Sequence, residues 1–168
     1  MSDSSDNIIV DTATRIFRDL CEPATVNDAE AGVWPQALWA ALEESGLPLA
    51  WVPEERGGAG AAMADGFAVL RAAGRFAVPM PLAETLMAGW LLARAGIDVP
   101  PGPLTIAPVH ADGHIELGAD GRLAGRARHV PFARNAGHLA VLADRGGENV
   151  AALVAGRGLA IGHGKSLA

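Results

Sequence analysis

The sequence predicts an α+β chain: an all-helical N-terminal domain followed by a partial antiparallel β-barrel or sheet domain. Three observations carry this. Apolar residues recur at helical spacing through the first 96 residues. A Pro-rich stretch, "IDVPPGP" at 97–103, then interrupts the pattern. Beyond it the apolar runs are short, β-branched or alternating, with Asp-Gly and Gly-Gly pairs between them. The expected organisation is a helical domain over 1–96, a stiff linker over 97–103 and a partial antiparallel β-domain over 104–168.

Four helices are expected. In the first, Ile9, Ala13, Ile16, Phe17 and Leu20 share a stripe, and Asp6 is a candidate N-cap. Trp34, Leu38, Trp39 and Leu42 make the second stripe, which Gly46 can end. Leu49 to Val52 reads as a short extended run closed by Pro53. In the third helix Met63, Phe67, Leu70 and Gly74 line one face. Pro81 suits the first position of a fourth helix. There Leu82, Leu86, Met87, Trp90 and Leu91 cover much of the circumference, so it is expected to be central and buried, with Gly96 at its end.

In the second half, "LTIAPV", "HIEL", "HLAVLA" and "NVAALV" are the expected strands. Asp112-Gly113, Asp120-Gly121 and Gly146-Gly147 are the expected hairpin turns.

The 168 residues are 50% hydrophobic and 19% charged, which supports a packed core rather than disorder. A net charge of -6 argues against nucleic acid and anionic membrane as partners, because both require a basic face. Apolar stretches are broken well before the roughly 18 residues a membrane span needs. The acidic start, "MSDSSDN", lacks the basic region of a signal peptide. One cysteine, Cys21, allows no disulfide within the chain and suits a reducing cytoplasm. As a residue it is read as a small core side chain in preference to a nucleophile.

Several apparent motifs do not hold together. "GHGKS" at 162–166 has Leu159 where a phosphate loop needs Gly, and no helix follows it. His110, Asp112, His114 and Glu116 surround a turn signal and lack the converging spacing of a zinc site, so no metal is expected. Glu43 and Glu44 are adjacent on a helix and point about 100° apart, which rules out a paired acid and base. No Gly-x-Ser-x-Gly elbow is present. The stretch "AWVPEERGGAGAAMADGF", 50–67, carries Gly57, Gly58 and Gly60, but the spacing is not that of a dinucleotide loop and no βαβ unit surrounds it. A tight turn into a helix is the better reading.

The same residues resemble the N-terminal helical domain of flavin-dependent acyl-CoA dehydrogenases. The match runs through Glu44 and Gly46, then Pro53, Glu54, Gly57, Gly58 and Gly60, then Asp65 on the following helix, and on through "AAGRFAVPMPLAET" at 72–85. The second half resembles the start of that family's β-domain, more weakly. "LTIAPV" is similar to its first strand, and "GRLAGRARHVPFARNAGHLAVLA" to a later strand pair. The resemblance implies FAD as cofactor, with Thr105, Ile106, His129 and Val130 as the flavin-facing positions. His129 reads equally as an exposed strand residue.

The departures are specific. The family's Thr-Glu-Pro-x-x-Gly-Ser-Asp loop has no counterpart after Thr105, where "IAPVHADG" stands. Its Trp-Ile-Thr or Trp-Ile-Ser is His129-Val130-Pro131, and Pro131 offers neither hydroxyl nor N–H. The family's C-terminal bundle, which supplies the catalytic carboxylate, has no counterpart in this sequence. No catalytic residue is therefore expected in the chain.

The resemblance implies an N-terminal part or subunit of an acyl-CoA dehydrogenase-like oxidoreductase. Its reaction is α,β-dehydrogenation of an acyl-CoA thioester, with the β-hydrogen leaving as hydride to FAD. The implied partners are acyl-CoA and the remainder of the enzyme or a partner subunit, in a homo- or hetero-oligomer. Two alternatives stand: a non-catalytic partner or scaffold subunit without flavin, and a flavin-dependent monooxygenase of the same fold.

Overall fold

Two packed layers, a helical cluster and a five-stranded sheet, meet along one helix. The computed structural model describes residues 5–109 and 113–162. The helices are α1 (Ser5–Leu20), α2 (Pro23–Glu30), α3 (Gln36–Glu44), α4 (Met63–Arg75) and α5 (Leu82–Arg94). The strands are β1 (Leu104–Ile106), β2 (Ile115–Leu117), β3 (Leu123–Gly125), β4 (His138–Arg145) and β5 (Glu148–Ala155).

The first two stripes fold as the spacing predicts. Ala13 and Phe17 of α1 are fully buried, and Ile9, Ile16 and Leu20 pack beside them. Leu38, Trp39 and Leu42 are the buried face of α3, and Gly46 follows its last turn in the left-handed region, at φ 72°. Helix α1 begins at Ser5, so Asp6 lies inside the helix rather than capping it. Between α1 and α3 the chain makes an additional short helix, α2, with Pro23 in its first turn and no buried residue.

Leu49 to Val52 is not extended. Leu47–Leu49 form a 3-10 turn, and Glu54–Arg56 form another. Pro48 sets the backbone for the first, and Pro53 precedes the second. The buried face of α4 also differs from the expected one. Asp65, Gly66, Val69, Ala72 and Ala73 face inward, while Met63 and Phe67 are exposed. Small residues let α4 approach the Trp51 indole closely, and the larger side chains are turned to the rim. Phe67 still meets Trp51 edge to face, with centroids 5.1 Å apart.

Helix α5 is the central element. Leu82, Thr85, Leu86, Ala88, Gly89, Leu92 and Ala93 are buried, with the helical core on one side and the sheet on the other. Met87 and Trp90 are exposed, and the Arg94 guanidinium lies 5.4 Å from the Trp90 ring centre. Pro81 is the N-cap residue rather than the first helical one, and Gly96 ends the helix at φ 75°.

The sheet is mixed, not purely antiparallel. β4 and β5 pair antiparallel along their full length, from His138↔Ala155 to Arg145↔Glu148, around Gly146 and Gly147, both at positive φ. β2 and β3 form the expected hairpin around Asp120-Gly121. β1 and β2, however, do not pair with each other. Both lie parallel to β4, β1 at its start and β2 at its end. Asp112 of the expected turn between them lies outside the described residues. The cause is non-local: β4, more than 30 residues along the chain from β1, supplies the partner that a local hairpin would have supplied.

Candidate functional site

Three places deserve the name of candidate: the glycine turn at 53–61, the face of β1 against residues 129–132, and the seam between α5 and the sheet.

The glycine turn spends its N–H groups on itself. Gly57 donates to the Glu54 carbonyl at 3.0 Å, Gly58 to Pro53 at 3.1 Å, Gly60 to Val52 at 2.9 Å and Ala61 to Ala50 at 2.8 Å. The glycine N–H groups are thus not available to cradle a phosphate. Gly57 and Gly60 are at φ 83° and 60°, and a Cβ on Gly58 would strike the Val52 backbone. The glycines therefore serve the turn. Asp65 is structural too: its carboxylate accepts the Ala62 N–H at 3.2 Å at the start of α4. An open cleft of about 450 Å³ lies over this turn, lined by Trp51, Pro53, Glu54, Glu55, Gly60 and Ala61. Its two carboxylates are exposed, and none of these lining residues is a Ser, Cys or His to work with them.

At β1, alternation separates the expected flavin-facing residues. Leu104 and Ile106 point toward α5, where they pack with Ala88, Leu92 and Ala140. Thr105 points to the other face and is 0% exposed. Its hydroxyl donates to the Pro131 carbonyl at 2.6 Å. Val130 is half-buried on that face, against Ala107, Leu139 and Val141. His129 is exposed and left-handed, at φ 53°. The structure thus brings Thr105 to the 129–132 turn but puts Ile106 and Val130 on opposite sides of the sheet.

The seam is held by a residue the sequence reading passed over. Thr85 of α5 is fully buried; its hydroxyl accepts the Leu104 N–H at 3.1 Å and lies 2.7 Å from the Pro81 carbonyl and 3.0 Å from the Leu104 carbonyl. A single polar residue inside the apolar side of α5 was the available signal.

The remaining expected motifs have plain placements. Cys21 is buried, its thiol donating to the Phe76 carbonyl at 3.2 Å, and burial pushes its pKa up, away from a reactive thiolate. Glu43 and Glu44 are solvated. His114 and Glu116 are exposed, while His110 and Asp112 lie outside the described residues. Among the described residues no group of three or more His, Cys, Asp or Glu could hold a metal ion. Of "GHGKS", residues 163–166 lie outside the described residues.

A family model described as the N-terminal domain of acyl-CoA dehydrogenase matches residues 3–98, more than half of the chain. This chain belongs to the acyl-CoA dehydrogenase family. Among solved structures, a variant of the Tcur3481–Tcur3483 steroid ACAD is similar at 25% identity and TM-score 0.74, over 91% of this chain and 48% of that one. The ChsE4–ChsE5 complex from Mycobacterium tuberculosis shares the fold at 22% identity and TM-score 0.73, over 94% of this chain and 48% of that one. Dibenzothiophene monooxygenase TdsC from Paenibacillus sp. A11-2 shares it at 19% identity and TM-score 0.58, over 88% of this chain and 43% of that one. No curated protein matches the chain. The chain spans about half the length of the solved structures it matches.

Acyl-CoA dehydrogenases imply a flavin, and among the described residues the expected flavin-facing positions do not together fit one as they stand. Thr105 has no exposed surface, and its hydroxyl is committed to Pro131. Pro131 has no N–H to offer, and Ile106 faces the helix. His129 is exposed, whereas Ile106 and Val130 are half-buried on opposite faces of the sheet.

Proposed function

We propose that this chain is the N-terminal part, or a subunit, of an acyl-CoA dehydrogenase-like flavoprotein. The assembly's reaction is α,β-dehydrogenation of an acyl-CoA thioester with FAD as hydride acceptor, and the catalytic base lies outside this chain. The carrying observation is the family match over residues 3–98, continued by a structural likeness covering 91% of the chain. In this reading residues 1–96 are the helical domain, 97–103 the linker and 104–168 part of the β-domain. The helical layer and α5 support the wall of an acyl pocket completed by further polypeptide. The partner is a second acyl-CoA dehydrogenase-family chain or the remainder of the enzyme. Complexes among the structural relatives support this reading.

Among the described residues no helix is long and apolar enough to cross a membrane. We assign the protein to the cytoplasm on the strength of its single, buried Cys21.

The test is co-expression with a polypeptide supplying the other half of the fold. The complex is expected to be yellow, absorbing near about 450 nm, the property of the flavin itself. Addition of acyl-CoA under argon is expected to bleach it. A colourless complex that takes up no added FAD sinks the reading. Bleaching only by a reductant, followed by oxygen transfer to an aromatic compound, would move the assignment to the monooxygenase alternative, whose support is the fold shared with TdsC.

A further inference from the structure

The β1 face is shut by a turn that is held against its own backbone strain. His129 and Phe132 sit at φ 53° and 51°, the left-handed region that disfavours residues other than glycine. They stay there because the turn is pinned on every side. Thr105 Oγ1 donates to the Pro131 carbonyl at 2.6 Å. Val130 packs on the cluster of Ala107, Leu139 and Val141. The Phe132 carbonyl accepts the N–H groups of Asn135 at 2.9 Å and Ala136 at 3.0 Å. With the turn in place nothing in solution can touch Thr105.

We propose that residues 129–132 are a plug over β1, and that this chain holds no flavin on that face. Resting on the function proposed above, the flavin of the assembly is then carried by the partner polypeptide. The strained φ values work against the turn, so removing the Thr105 pin is expected to loosen it. Pro131 fits this role: it fixes φ and offers a carbonyl without a competing N–H.

Trypsin reads the plug directly, because Arg126, Arg128 and Arg134 flank the turn. The folded full chain is expected to keep no FAD or FMN after gel filtration, and neither flavin is expected to slow cleavage at these arginines. Thr105→Val keeps the side-chain shape but removes the hydroxyl. It is expected to raise cleavage there about fivefold to tenfold, the equivalent of one lost hydrogen bond. Cleavage at Arg71, inside α4, should not change and reports that the fold is intact. Thr105→Ser restores the hydroxyl and is expected to cleave near the wild-type rate, which keeps the test decisive if the Val variant misfolds.

One flavin retained per wild-type chain, flavin protection of these arginines, or unchanged cleavage in Thr105→Val would each overturn the plug. In the co-expressed complex, a flavin count equal to the number of partner chains supports both the plug and the proposed function. An extra flavin per copy of this chain overturns the plug alone. A colourless complex overturns the proposed function and leaves the plug standing.

Discussion

The hydroxyl of Thr85 accepts the backbone N–H of Leu104, 19 residues further along, at 3.1 Å in a fully buried site. This joins the central helix to the first strand. It also spares the Leu104 N–H an unpaired burial, which costs more than an ordinary hydrogen bond gains. Thr85→Val keeps the packing and orphans that N–H. The variant is expected to lose about 1–3 kcal/mol of stability. Urea denaturation followed by tryptophan fluorescence and by circular dichroism measures this. A midpoint equal to wild type would show that the seam rests on packing alone.

Two glycines of α4 should respond in opposite directions. A Cβ on Gly66 would land on the Trp51 indole, whereas a Cβ on Gly74 would meet nothing within 4 Å. Gly66→Ala is expected to destabilise by roughly 1–3 kcal/mol through overpacking, with a shift in tryptophan emission. Gly74→Ala is expected to stabilise by about 0.5–1 kcal/mol through reduced backbone entropy in the unfolded chain. Thermal melts of the two variants side by side separate close approach from helix propensity.

The helices were legible wherever packing followed the stripe. Ile9, Ala13 and Phe17 carry a clear period and are buried accordingly. The inward face of α4 was not legible, because its contact with Trp51 depends on the absence of side-chain bulk at Gly66, which a search for large apolar residues ranks last. The strands were visible as short apolar runs, but their order was not. β1 and β2 are both placed by β4, and no local turn signal encodes a parallel partner that far away. The surroundings of the expected flavin positions were not legible for a related reason. Alternation along β1 can be read from sequence, but which face the 129–132 turn closes cannot.

Glu84 should give the chain a pH dependence whose sign follows from its burial. Burial pushes its carboxyl above the usual carboxylate range, and a smaller backbone hydrogen-bond contribution opposes this. The folded state thus holds the proton more tightly than the unfolded state. Its contribution to stability is full below the unfolded pKa and is lost as pH rises through the folded one. Glu84→Gln removes the ionisation. It should raise the melting temperature relative to wild type at about pH 7 and bring no gain at about pH 4, where wild-type Glu84 is largely protonated. A constant difference across that range would contradict the raised pKa.

Among the described residues β5 pairs on one side only, and its open edge should govern how the isolated chain associates. The Gly156 N–H reaches the Gly137 carbonyl at 2.9 Å, which fixes the alternation of the ladder. Val150, Ala152 and Val154 bond to β4, so Asn149, Ala151, Leu153 and Ala155 turn their backbone groups outward. Residues 149–156 contain no charge and no proline, the usual devices against edge pairing. The isolated chain is therefore expected to self-associate with rising concentration. Ala151→Pro removes one outward N–H and leaves the ladder to β4 intact, a position where an edge strand tolerates proline. It should reduce light scattering with little change in the urea midpoint. Ala152→Pro breaks an inward bond instead and should lower the midpoint, by an amount equivalent to about 1–3 kcal/mol of stability. Scattering that stays monomeric in wild type would overturn the prediction, and scattering unaltered by Ala151→Pro would place the contact elsewhere, with the exposed Met87 and Trp90 face of α5 the next surface to mutate.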